Sequence, residues 1–224
     1  MYLRQKEKKR KNMKTINVPK IIPTDNIEEV FNTLPSHAID CCNWPNEFPY
    51  APKASFKLFH DGKNLYIKFD VTENDIQAVV TEDQGRTWTD PCVEFFVSPE
   101  ANLDYYNFEC TCTGKLLLAW HPADSEKESA DKTVLDSVKR TPSLGTAPFA
   151  LRPGEHSWSV IEVIPATALF RSGIESFDGK KMGANFYKCG DELPTPHFLS
   201  WNAIDWPSPS FHRPEQFGEL HFQE

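Results

Sequence analysis

From residue 54 onward the chain alternates apolar and polar positions with a period of two, and helical periodicity is nearly absent. Phe56 and Leu58 alternate with Ser55 and Lys57, and the run Leu65-Tyr66-Ile67-Lys68-Phe69-Asp70-Val71 repeats the pattern. Between them lies Asp61-Gly62-Lys63-Asn64, so the two runs predict a β-hairpin. Further strands are expected over 91–97, 105–113, 115–120, 157–164, 182–189, 197–202 and 217–222. In 157–164, Trp158, Val160 and Glu162 alternate with Ser159, Ile161 and Val163. Pro165 opens a short helix through residue 170, because proline suits a first helical position.

Residues 21–53 are irregular and proline-punctuated, with one helical turn near 27–34. Residues 121–147 are charged, small and Pro/Gly-marked, and predict a long surface loop. The sum is about nine strands and one short helix, with no βαβ alternation and no internal repeat. The expected fold is all-β, an antiparallel β-sandwich, in a single domain over residues 21–224.

Composition modifies this picture in two ways. Aromatic residues reach 12%, and 18 prolines against 10 glycines point to stiff loops. The net charge of −8 hides an asymmetry: residues 1–20 carry eight Lys/Arg against one acid, Glu7. This basic stretch is expected to be a disordered leader, and the remainder is strongly acidic. An acidic body repels phosphate backbones, so nucleic acid is not an expected partner. No stretch approaches the roughly 18 apolar residues of a membrane span, and no apolar export segment follows the basic run. A cytoplasmic location is therefore expected.

The six cysteines are too sparse for a disulfide scaffold and are expected to be free, partly buried thiols. Cys110 and Cys112 share one strand face, but no CxxC pair or His at zinc-ligand spacing supports them. No nucleophile elbow, H-E-x-x-H, P-loop or G-x-G-x-x-G occurs. Glu94 and Glu109, on neighbouring expected strands, are the one carboxylate pair that a glycoside hydrolase reading has to offer. Binding fits better. Of six tryptophans, Trp44, Trp88, Trp201 and Trp206 lie in or beside polar loops, whereas Trp158 and Trp120 belong to strands and the core. A flat indole ringed by polar groups suits the apolar C–H face and hydroxyl rim of a sugar, and Trp88 has Arg86, Asp90 and Glu94 nearby.

The run Trp88-Thr89-Asp90-Pro91-Cys92-Val93-Glu94-Phe95-Phe96 resembles the W-x-D-x-x-V-E-x-F segment of family 9 carbohydrate-binding modules, which are found attached to xylanases. Tyr105-Tyr106-Asn107-Phe108-Glu109, Trp158 with Ile164-Pro165, Ala184-Asn185-Phe186-Tyr187-Lys188-Cys189-Gly190-Asp191, Pro196-His197-Phe198-Leu199-Ser200-Trp201 and Phe211-His212-Arg213-Pro214-Glu215-Gln216-Phe217-Gly218 follow in the same order, so the resemblance spans about residues 54–222. It implies an immunoglobulin-like sandwich without catalytic machinery that holds a chain end of a cello- or xylo-oligosaccharide between two tryptophans. Trp88 matches the first of these and Trp201 the second, with Trp206 a rival. Glu94 matches a carboxylate that accepts sugar hydroxyls, and Asn185, Lys115 and Arg213 are expected polar contacts. Some members hold structural calcium, although no ligand set can be matched in this sequence. Three alternatives stay open: an interaction module whose sugar site is lost, a haem-holding relative using Met182 and a histidine, and a xylanase-associated hydrolase.

Overall fold

The computed structural model describes residues 13–100 and 103–224. In chain order the strands are β1 (Thr15–Val18), β2 (His37–Ala38), β3 (Cys41–Cys42), β4 (Lys53–His60), β5 (Asn64–Ala78), β6 (Cys92–Ser98) and β7 (Tyr105–Thr111). They continue as β8 (Leu116–His121), β9 (Glu128–Ser129), β10 (Lys139–Pro142), β11 (Phe149–Pro165), β12 (Lys181–Cys189), β13 (Phe198–Ser200) and β14 (Gly218–Phe222). Two short helices, α1 (Ile27–Thr33) and α2 (Lys132–Ser137), complete the regular structure apart from three 3-10 turns. No helix among the described residues is long and apolar enough to cross a membrane.

The strands form two packed sheets, an all-β sandwich. The five-stranded sheet runs β10-β11-β5-β4-β2; the nine-stranded sheet runs β1-β14-β12-β6-β7-β8-β9, with β13 pairing with β12 and β3 with β13. All pairings are antiparallel except β1 with β14. Side chains alternate across each strand, and this alternation decides what is buried where. Val93, Phe95 and Val97 of β6 and Phe186 of β12 point into the sandwich and meet Phe56 and Phe69 of the smaller sheet. Phe56 and Phe186 stack at 3.6 Å between ring centroids, and Phe95 stacks on Phe186 at 5.0 Å.

Cys92, Phe96, Tyr105, Tyr187 and Cys189 belong to a second apolar cluster with Trp44, Ile204, Phe211 and Phe217. The alternation puts these strand residues on the other face of the large sheet, which the segments around residues 44–48 and 201–217 cover. Both faces of β6 are therefore buried, which is why Cys92-Val93-Glu94-Phe95-Phe96-Val97 reads as almost continuously apolar.

Most predicted strands appear within a residue or two. The differences have local causes. β1 lies inside the stretch expected to be leader, yet it adds to the sheet edge in parallel with β14, and Lys20 bridges to His60. The ordered sandwich thus begins before residue 21, while residues 1–12 of that stretch lie outside the described residues. β11 starts well before residue 157, because its first half is solvent-exposed on both faces and carries no alternation to read. The long loop expected over 121–147 contains β9, α2 and β10; Asp131 caps α2 by accepting a hydrogen bond from the Val134 amide at 2.9 Å. The single helix expected after Pro165 is a 3-10 turn, Ala166–Ala168.

Candidate functional site

Glu94 of β6 and Asn107 and Glu109 of β7 stand on the covered face of the large sheet, where the alternation places polar instead of apolar side chains. There the covering segments leave a cleft of about 280 Å³. Glu94, Asn107, Glu109, Leu117 and Cys189 line it from the strands. Trp88, Lys127, Asp191, Phe198 and residues 209–212 supply the rest of the lining. A larger hollow of about 760 Å³ lies elsewhere, lined mainly by Ser55, Thr72, Ser157, Ser159 and small apolar groups; its one aromatic, Trp158, is buried in the core.

Trp88 sits in a 3-10 turn, Thr87–Thr89, whose geometry is over-determined. Thr89 Oγ1 donates to the Arg86 carbonyl at 2.8 Å, and Asp90 Oδ2 accepts the amides of Val79 and Val80, both at 2.8 Å. The Asp191 amide donates to the Trp88 carbonyl at 2.9 Å. The indole is half-buried, with the Arg86 guanidinium 5.9 Å from its ring centroid and that guanidinium paired with Glu192. This fixed, partly exposed aromatic face loses little freedom when a ligand lies on it.

The polar floor is electrostatically tense. Burial, and then the neighbouring Glu109 carboxylate, push Glu94 well above the usual carboxylate range. The Cys189 thiol donates to Glu94 Oε1 at 3.1 Å. Both Glu109 oxygens are occupied, Oε1 by Asn107 Nδ2 at 2.7 Å and Oε2 by Thr87 Oγ1 at 3.0 Å, yet burial still raises its pKa. Burial also pushes Asp191 up to about 6. Asn107 Oδ1 accepts the Ala119 amide at 3.0 Å and lies 3.1 Å from His121 Nε2; burial pulls His121 down to about 4, so this imidazole is neutral at pH 7.

Of the residues expected to form a site, the structure brings two together, Trp88 and Glu94. Trp201 is 3% exposed and packs edge-on against Phe56 and Phe186 in the main core, so it offers no open face. Asn185 is fully buried; its side chain bonds the Asn202 carbonyl at 3.0 Å and the Asn202 amide at 2.8 Å, pinning the covering segment. Lys115 lines a separate hollow with Lys139 and Arg140. The Arg213 guanidinium stacks on Trp206 at 3.4 Å, and neither residue lines the cleft.

Asn107, Lys127, Asp191, Phe198 and Phe211 were not singled out from sequence. Most fall inside the matched motifs, but only the folding of distant segments onto one face reveals their convergence. Glu94 and Glu109 are directly opposed on adjacent strands, hence on one side of any ligand. A glycosidic bond has to lie between two catalytic carboxyls, which this arrangement does not provide. The buried cluster of Cys92, Glu94 and Cys189 is not a calcium shell, because two of its three donors are thiols and calcium takes oxygens.

Comparison with known proteins agrees with the all-β sandwich and shows the family. The model of carbohydrate-binding family 9 matches residues 25–222. A candidate carbohydrate-binding protein from Bacteroides uniformis superposes with a TM-score of 0.91 at 42% identity, covering 94% of this chain and 100% of the other. A family 9 module from Caldicellulosiruptor kristjanssonii, solved with glucose and with cellotriose, shares the fold at a TM-score of 0.58 and 14% identity, covering 94% of this chain and 96% and 94% of the two structures. No curated protein matches the chain.

Proposed function

Because this chain belongs to carbohydrate-binding family 9, a family of binding modules and not of catalysts, we propose that it holds a terminal sugar in the Trp88–Glu94 cleft. The observation that carries the reading is the meeting, in the lining of one small cleft, of a rigid, half-buried indole and a buried carboxyl. A pyranose presents C–H faces to Trp88 and hydroxyls to Glu94, Asn107 and Lys127. Phe198 and Phe211 supply further aromatic surface in place of a second tryptophan.

The size of the cleft favours a chain end. At about 280 Å³ it lies at the small end of ligand sites, and the large sheet closes it from below. The ligands of the family 9 relative, glucose and cellotriose, belong to that relative; they support a glucose-based oligosaccharide as the ligand class for this chain, with its xylose counterpart the alternative.

Calorimetric titration with glucose, xylose, cellobiose, xylobiose and their tri- and tetrasaccharide homologues tests the proposal. Binding to a terminal sugar predicts a saturable heat with similar affinity for a disaccharide and its longer homologues. No heat from folded protein across the panel, or affinity climbing steadily with chain length, contradicts it.

A further inference from the structure

Beneath the sugar cleft lies a cluster of donors of which sugar recognition uses only Glu94. Cys92 and Cys189 are directly opposed in the register of β6 and β12, and Glu94 follows Cys92 on the same face. Both sulfurs and a Glu94 oxygen lie within 4.8 Å of one another, and all three residues are buried. Glu94 and Cys189 line the cleft, which gives the cluster a route to solvent. Asp191, two residues past Cys189, lies outside that 4.8 Å cluster but lines the same cleft, and its Oδ1 accepts no hydrogen bond, so it is the carboxylate at hand to complete the set.

The chemistry of this set is distinctive. Two thiols and two carboxyls are an S₂O₂ donor set, which suits a borderline-soft divalent ion and disfavours calcium and magnesium. Tetrahedral zinc holds sulfur at about 2.3 Å and carboxylate oxygen at about 2.0–2.2 Å, so its ligand atoms sit roughly 3.5–3.8 Å apart. Metal binding has to draw the three clustered donors, which lie within 4.8 Å of one another, closer together. Glu94, Glu109 and Asp191 crowd three carboxyls into one lining, and a divalent cation would favour their ionised forms.

We propose that Cys92, Cys189, Glu94 and Asp191 form a zinc site at the floor of the cleft. Binding exchanges the two thiol protons, and any proton on the carboxyls, for the metal, and no electron is transferred. The site does not depend on the sugar reading, although the two share Glu94, and it is measured with no sugar present.

The test uses the reduced full-length protein titrated with Co²⁺ as a spectroscopic stand-in for Zn²⁺, followed by displacement with Zn²⁺. A thiolate-to-cobalt charge-transfer band with the intense visible bands of a tetrahedral ion is expected, and zinc erases both. Cys92→Ala and Cys189→Ala should each remove the band and weaken zinc by more than about 100-fold, beyond the loss of an outer-shell partner. Cys110→Ala, which alters a thiol of the main core, should leave it intact. Absence of a thiolate band in the wild type, or its survival in both cleft variants, overturns the site. Should the alanine variants fail to fold, Glu94→Gln decides. It should weaken zinc by at least roughly tenfold while the thiolate band persists at saturation, and unchanged affinity overturns the site.

Discussion

Glu94 carries a cost that its packing does not repay. Its carboxyl is buried beside Glu109, and hydrogen bonds leave it only the Cys189 thiol as donor. A residue kept for binding at the expense of stability gives a recognisable signature when it is neutralised. Glu94→Gln should leave the melting temperature unchanged or raise it by replacing an ionisable group that burial beside Glu109 disfavours. The same change should weaken sugar binding by up to roughly tenfold, the worth of one hydrogen bond. Thermal melts and titrations on one preparation check both halves; a large fall in melting temperature would instead make Glu94 structural. At this scale the sequence was only half legible. The Trp88-to-Glu94 spacing places both residues by local geometry, a turn running into a strand. Trp201 stands in an equally polar stretch, but its burial depends on Phe56 and Phe186, residues remote in sequence.

Strand alternation explains what could be read at the level of elements. Most strands with one buried face were read from their period, whereas β1, whose alternation spans only four residues, and the exposed half of β11 were not. Close approach is equally hidden. A Cβ on Gly218, at the start of β14, would come within 2.5 Å of the Trp201 ring and 2.6 Å of the Lys14 carbonyl, so glycine there is a packing requirement. The alternation of β11 also sends Glu162 into the apolar interior, where neither carboxylate oxygen has a hydrogen-bond partner. Burial pushes its pKa up to about 7 from 4.5, against weaker opposing effects of Cys110 and Arg140. The folded state therefore holds this proton where the unfolded chain has lost it. Stability should fall as pH rises from about 4.5 to about 7 and level off above, by about 3 kcal/mol from this group. Glu162→Gln should flatten that part of the profile, as urea melts across the range will show. Equal slopes in wild type and variant would mean that Glu162 is already ionised, or hydrated, in the fold.

Over the whole molecule, the two faces of the nine-stranded sheet have separate duties. One closes the sandwich core with Val93, Phe95 and Phe186. The other, roofed by loops around Trp44 and Phe211, holds the only convergence of buried carboxyls with a half-buried tryptophan among the described residues. The sandwich was legible because alternation is local. The cleft was not, because β6, β7, β12 and the covering segments meet only once the register is set. Stability and recognition are thus physically separable, and the most direct test asks whether they separate at Trp88. Titrate wild type and Trp88→Ala with the tightest-binding sugar of the panel, and melt both. The expected result is affinity weakened by about 10- to 100-fold, on the scale of roughly 1–3 kcal/mol for stacking on an aromatic platform, with a melting temperature within a few degrees of wild type. Undiminished binding by folded Trp88→Ala would contradict the assignment of the sugar to this cleft.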